Sequence, residues 1–196
     1  GQQMDKIRCS WVSEDKSYQE YHDKEWGIAV LDCQELFAKL CLDGQQAGLS
    51  WITILKKQAN YEAAFFNFDP VKIATLTEDD VERLMQNKGI VRNRLKIRAI
   101  IKNANAYLAI ETSGMSFSDY IWQFVDNKTV INAWPSMKEI PTSTEQSDKM
   151  AKDLKKRGFS FVGTTICYAF MQAVGMINDH TTDCFCYKNS SNQARI

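Results

Sequence analysis

Residues 77–108 read TEDDVERLMQNKGIVRNRLKIRAIIKNANAYL, and the fold follows from this stretch. Thr77 with Glu78, Asp79 and Asp80 is a helix-start signal, because a short polar side chain there can accept from the first unbonded backbone amides. Val81, Leu84 and Met85 then recur at three and four positions, which gives the helix one apolar face. The pattern breaks at Asn87-Lys88-Gly89-Ile90-Val91, and a second helix opens at about Asn93. Two helices joined by so short a link form a helix-hairpin-helix shape. At the turn, Gly89 would let backbone amides face outward, where with Lys88, Arg92, Arg94 and Lys96 they would hold a phosphate without reading base sequence. A solvated surface with basic flanks reads the same way, so the motif alone leaves both open.

The same period extends outward from this segment. Leu36, Phe37, Leu40 and Cys41 make one apolar stripe, and Trp51, Ile52 and Leu55 followed by Tyr61, Phe65 and Phe66 make the next. Asp69-Pro70 reads as a turn and helix start. Strand-like alternation is nearly absent, and no repeat or flexible linker divides the chain. The expectation is an all-α fold: one helical unit over residues 4–187 in two lobes, preceded by a leftover of expression at residues 1–3 and followed by a disordered tail at residues 188–196. The most apolar stretch, residues 159–177, is interrupted by Gly163, Thr164, Thr165, Gln172 and Gly175. It falls short of the roughly 20 apolar residues of a membrane span and reads as a buried core helix.

With 196 residues, 44% of them hydrophobic and 11% aromatic, the chain can build a real core. Its 24 Lys and Arg balance its 24 Asp and Glu, which excludes a global positive field; any nucleic-acid site has to be a local patch. Six cysteines, unevenly spaced and without a secretory leader, are too sparse for a disulfide framework and point to a reducing cytoplasm.

Each of the two histidines has a cysteine near it: Cys9 precedes His22, and His180 precedes Cys184 by four residues. Two such pairs at opposite ends of the chain would close a tetrahedral zinc site, structural because no position stays open for water. His180 and Cys184 would share a helical face or a compact turn. These intervals match no common zinc-finger pattern, so buried reduced cysteines and ordinary histidines are the competing reading, and Cys186 is a rival ligand. Trp11, Tyr18, Tyr21, Trp26 and Trp51 surround the polar run Asp43-Gly44-Gln45-Gln46-Ala47-Gly48-Leu49-Ser50, whose glycines and paired glutamines are odd for a core helix pair. A carboxylate beside tryptophan and tyrosine faces suits a pocket for a flat, electron-poor ring, although aromatic stripes are more often plain core.

The strings Cys9-Ser10-Trp11-Val12, Tyr21-His22-Asp23-Lys24-Glu25-Trp26-Gly27, Gly44-Gln45-Gln46-Ala47-Gly48-Leu49-Ser50-Trp51, Lys155-Lys156-Arg157-Gly158-Phe159, Phe161-Val162-Gly163-Thr164-Thr165 and Asn178-Asp179-His180 with Cys184 resemble the DNA-3-methyladenine glycosylase I family, collinearly and over nearly the whole chain. The resemblance implies a bacterial, cytoplasmic repair enzyme that flips 3-methyladenine out of DNA and hydrolyses its N-glycosidic bond, with one structural zinc on Cys9, His22, His180 and Cys184. It implies a base site at Trp11, Tyr18, Tyr21, Trp26, Asp43 and Trp51, of which Asp43, Tyr21 and Trp51 carry the catalytic discrimination. Asp43 departs from the family's glutamate and is one methylene shorter. The expected partner is double-stranded DNA with alkylated bases, met by a monomer away from membranes through Gly48, Leu49, Lys88, Gly89, Arg92, Thr164 and Thr165.

Leu49 would be the wedge that fills the gap left by the flipped nucleotide. Methylation at N3 makes the base a cation and a good leaving group, so little acid catalysis is required. Trp51 and Tyr21 would stack on that cation for about 0.5–2 kcal/mol while Asp43 accepts from the base edge. The competing class is a non-catalytic, zinc-stapled DNA-binding module, favoured if Asp43, Trp51 and Tyr21 point into separate parts of the core. A hydrolase with Cys9 or Cys184 as nucleophile needs an open, low-pKa thiolate. The alternative role for Asp43 is a cap on the helix after Gly44.

Overall fold

The computed structural model describes residues 6–187; the expected N-terminal remnant and C-terminal tail lie outside them. Within them the chain forms α1 (Lys16–Lys24), α2 (Cys33–Gln45), α3 (Trp51–Leu55), α4 (Gln58–Ala64), α5 (Pro70–Ile73), α6 (Glu78–Leu84), α7 (Arg94–Thr112), α8 (Phe117–Trp122), β1 (Val130–Ile131), α9 (Glu145–Lys156), α10 (Thr164–Ala173) and β2 (Ile177–Asn178). The fold is all-α as expected, with one two-residue parallel pairing of Val130 with Ile177 and Ile131 with Asn178. Among the described residues no helix is long and apolar enough to cross a membrane.

The start signals act as read. Thr77 caps α6 in a reciprocal capping box with Asp80, Asp69 caps α5 ahead of Pro70, and Asn93 caps α7 by accepting from the Lys96 amide. Helix α2 buries Leu36, Phe37, Leu40 and Cys41 between α7, α8 and α10, and α10 also packs on α9. Leu36, Phe37 and Leu40 are fully buried, and each contributes about 1.5–3 kcal/mol by leaving water.

Two readings of the apolar runs need correction. Residues 159–177 are not one helix: Phe161 adopts a left-handed φ of 57°, α10 begins only at Thr164, and residues 177–178 pair as β2. Phe66 is not core. Residues 66–68 all take positive φ, which turns Phe66 outward at 43% exposure and puts Phe68 inside.

The basic flank of the hairpin is also rearranged. Lys96 is buried, its ammonium donating to the carbonyls of Gln45 at 2.9 Å and Ala47 at 2.5 Å, so it clamps the end of α2 and cannot meet a phosphate. Arg94 is paired with Glu82 at 2.8 Å. Gln45 returns a bond to the Lys96 carbonyl at 2.9 Å and accepts from the Tyr61 hydroxyl at 3.0 Å, which itself accepts from the Val91 amide at 3.2 Å. One of the two odd glutamines thus ties the end of α2 to α4 and to the start of α7. Breaking that tie leaves buried groups unpaired, at about 1–3 kcal/mol each.

Candidate base pocket and metal centre

A cavity of about 200 Å³ opens beside the end of α2, and all six residues read as a base site line it: Trp11, Tyr18, Tyr21, Trp26, Asp43 and Trp51. Its size lies below the roughly 300–1,000 Å³ of sites for drug-sized ligands, which suits a single flat ring system. Tyr18 and Tyr21 come from α1, Trp26 from the turn after it, Asp43 from the last turn of α2 and Trp51 from the first position of α3. Trp11 packs on Tyr18 at 5.1 Å and edge-on against Trp26 at 5.0 Å, while Tyr21 and Trp51 lie 5.5 Å apart.

Asp43 sits inside α2, so the capping alternative falls. Asp43 is 2% exposed; one carboxylate oxygen lies 3.5 Å from the Lys39 ammonium in an ion pair without a hydrogen bond, and the other oxygen has no hydrogen-bond partner. Burial pushes its pKa up to about 6 against the opposing pull of Lys39. The Trp51 indole nitrogen is likewise unpartnered. Buried polar atoms are nearly always bonded, so an acceptor and a donor left open around one aromatic cavity mark a place for a polar, planar ligand.

The sequence reading missed Gln46, Gln172 and Lys39. Gln46 and Gln172 line the cavity. The Gln172 amide nitrogen donates to Asp179 at 2.9 Å; a carboxylate only accepts, so the amide orientation is set. Asp179 also accepts from Asn132 at 2.9 Å, from Trp134 at 2.8 Å and from Tyr168, which holds the segment before His180 rigidly. A glutamine within the apolar run of α10 was the available signal. Lys39 could have been found as the residue one turn before Asp43.

Cys9, His22, His180 and Cys184 converge, all buried, with their ligand atoms within 4.8 Å of one another. The Cys184 sulfur lies 3.4 Å from His22 Nε2 and 3.6 Å from His180 Nδ1, and the Cys9 sulfur is 3.6 Å from the same Nδ1. Metal–sulfur bonds of about 2.3 Å and metal–nitrogen bonds of about 2.0–2.1 Å give a tetrahedron with edges of about 3.3–3.8 Å, so these separations fit. The outer contacts agree. His22 Nδ1 meets Asp23 at 2.7 Å, Asp23 is held by Arg8 at 2.8 Å, and His180 Nε2 lies 3.3 Å from the Trp26 carbonyl. With those nitrogens as donors, each ring turns a bare nitrogen toward the sulfurs, the arrangement metal-bound histidines use. His180 and Cys184 reach the centre from a turn, since both lie beyond β2. Cys186 sits one step out, its amide donating to the Cys184 sulfur at 3.4 Å. At 1% and 4% exposure, Cys9 and Cys184 are closed to a substrate, which argues against a cysteine nucleophile.

The methyladenine glycosylase family model matches residues 11–187. The chain belongs to this family. It is 57% identical to DNA-3-methyladenine glycosylase 1 of Escherichia coli (strain K12), over 92% of this chain and 96% of the relative. A crystal structure of 3-methyladenine DNA glycosylase I superposes with a TM-score of 0.92 at 60% identity, covering 92% of this chain and all of the other. A variant 3-methyladenine DNA glycosylase I solved in complex with 3-methyladenine superposes at 0.88 with 38% identity, covering 91% and 96% of the two chains.

In the glycosylase a tight turn lies between Gln46 and Trp51, two residues that line the cavity. Gly48 takes φ +79°, a left-handed turn that favours glycine, and Leu49 after it is an apolar tip 41% exposed. Lys88 and Arg92 are exposed at the hairpin and, among the described residues, belong to no ion pair. Helix α10 of the glycosylase opens at Gly163 without a side-chain cap, leaving its first amides unbonded by side chains. The Thr164 hydroxyl is already committed to Asp148 at 2.6 Å, and Arg157 to Asp153 at 2.8 Å. What this helix offers a phosphate is therefore backbone, with the exposed Thr165 beside it.

Proposed function

We propose that the aromatic cavity is the base site of a DNA-3-methyladenine glycosylase, in which Asp43 accepts from the amino edge of the flipped base while Trp51 and Tyr21 present electron-rich faces to its cationic ring. The enzyme hydrolyses the N-glycosidic bond of 3-methyladenine in alkylated DNA. The observation that carries the site assignment is the meeting of Asp43, Trp51 and Tyr21 on one cavity with a carboxylate oxygen left unpartnered. That meeting favours the enzyme over a binding module without chemistry.

The chemistry follows from the substrate's charge. Methylation at N3 makes the base cationic and weakens its glycosidic bond: the base departs neutral with the bonding electron pair and water adds to the sugar carbon, so the protein's task is to admit that base and hold it. A neutral adenine loses the ring–cation attraction, about 0.5–2 kcal/mol, and the extra strength of a hydrogen bond between charged groups. Cys9, His22, His180 and Cys184 would hold a zinc ion whose contribution is structural: it ties the N-terminal segment, which carries Trp11, to the segment after β2. All four positions are filled by protein, so no step of the hydrolysis passes through it.

Duplex DNA, met by a monomer, would lie across Leu49, the Lys88–Arg92 hairpin and the start of α10. Incubation with methylated duplex is expected to release 3-methyladenine as the free base; release of no base, or of unmethylated adenine equally well, would overturn the reading. Leu49→Ala is expected to lower excision from duplex about tenfold and from single strands far less, because only a duplex leaves a stack to fill, worth a few kcal/mol. Equal losses on both substrates would remove Leu49 from that role.

A further inference from the structure

Helix α2 places Lys39 one turn before Asp43, and the two side chains run side by side. The Lys39 ammonium lies 3.5 Å from Asp43, 3.3 Å from the centre of the Trp51 ring and 5.0 Å from that of Tyr21. It does not line the base cavity. It lines a second cavity of about 330 Å³ on the other side of Tyr21 and Ala173, together with Glu25, Glu35 and Glu62. One buried cation thus touches from behind the two residues that the base site depends on.

We propose that Lys39 is a positioning residue of the base site: from the neighbouring cavity its ammonium pins the Asp43 carboxylate and backs the Trp51 ring, keeping the carboxylate charged with one oxygen free for the base. This rests on the base-site reading of Asp43. A carboxylate so buried favours its neutral form unless a cation is close. Around Asp43 the other titratable groups are Tyr21 from α1, whose hydroxyl burial holds well above its ordinary range, and Cys167 from α10, whose thiol burial pushes up to about 12; both are neutral near pH 6. Lys39 is therefore the cation that sets the charge of Asp43. Burial brings the Lys39 ammonium down to about 8 against the opposing pull of Asp43 and, on its far side, of Glu25 from the turn after α1. Each partner favours the charged form of the other, so the pair is ionic near neutral pH.

Lys39→Met keeps the length and apolar stem and removes the charge, and Lys39→Arg keeps the charge. Two readouts apply: the carbon-13 titration of the Asp43 carboxyl, assigned by its loss in Asp43→Asn, and the pH profile of 3-methyladenine excision. An opposite charge this close lowers a carboxylate by about 1–3 pH units, so in Lys39→Met the Asp43 titration and the acid limb of excision are both expected to move up by about that much. Excision at pH 7 then falls by between about twofold and a hundredfold and recovers at higher pH, while Lys39→Arg stays near the parent. If Asp43 titrates at the same pH in Lys39→Met, the proposal is overturned. If the titration moves and the acid limb does not, the base-site reading of Asp43 fails. Should the methionine variant not fold, Lys39→Gln carries the same comparison.

Discussion

Asp43→Asn is expected to lower 3-methyladenine excision about 10- to 100-fold, with a parallel loss of affinity for the free base. A hydrogen bond to a charged acceptor is worth about 1.5–3 kcal/mol, and each 1.4 kcal/mol is tenfold. The amide keeps the shape of the side chain and loses the charge that distinguishes a cationic base from a neutral one. Stability falls as well, because Lys39 is left buried without its counter-ion, and breaking a buried pair costs up to about 3–5 kcal/mol. Lys39 sheds part of that cost by releasing its proton, since burial has already brought it down to about 8. The double variant Lys39→Met with Asp43→Asn separates the two effects: it removes the stranded charge and regains thermal stability, yet excision stays low. If the double variant recovers excision along with stability, Asp43 is a structural partner of Lys39 and no base acceptor. Asp43→Glu extends the carboxylate by one methylene toward the cavity and is expected to keep or raise activity.

Loss of the metal centre is the second large effect. Cys184→Ser or His22→Ala is expected to release one zinc per chain and to lower Tm by about 10 °C or more. Structural zinc sites bind with free energies of about 10–16 kcal/mol, and for a chain of this length each kcal/mol of stability is about 2–4 °C. Four groups within 4.8 Å of one another join segments up to 175 residues apart in sequence, and without the ion only long sulfur–nitrogen hydrogen bonds of 3.4–3.6 Å offset the burial of their polar atoms. The same loss should weaken base binding, because Trp11 is packed edge-on against His22 at 5.3 Å and lines the pocket. Elemental analysis of protein prepared without chelator checks this first. A preparation free of zinc, nickel, cobalt and iron but with full thermal stability would leave the four residues as a hydrogen-bonded core cluster.

Much of this protein is legible in its residues, for reasons that are local. Thr77, Asp69 and Asn93 announce helix starts because a cap depends on one side chain and amides two or three residues away. The Cys/His cluster stands out because the chain has two histidines, each with a cysteine nearby, and the pocket residues because a carboxylate beside so many aromatic rings suits few cores. Tertiary structure alone decided the fate of the charges and of the chain reversals. Lys96 and Lys88 are the same residue type on one hairpin; one is buried under two carbonyls contributed from about 50 positions away, and the other is free at the surface. Arg94 is neutralised across the hairpin by Glu82, and Lys39 meets two aromatic rings because α1 and α3 lay Tyr21 and Trp51 beside it. Phe66 and Phe68 exchange inside for outside through three left-handed residues that no apolar period foretells. Caps and periods are properties of a few neighbouring residues, whereas the free energy of a buried charge depends on which distant group arrives to pair with it, and only the folded chain settles that.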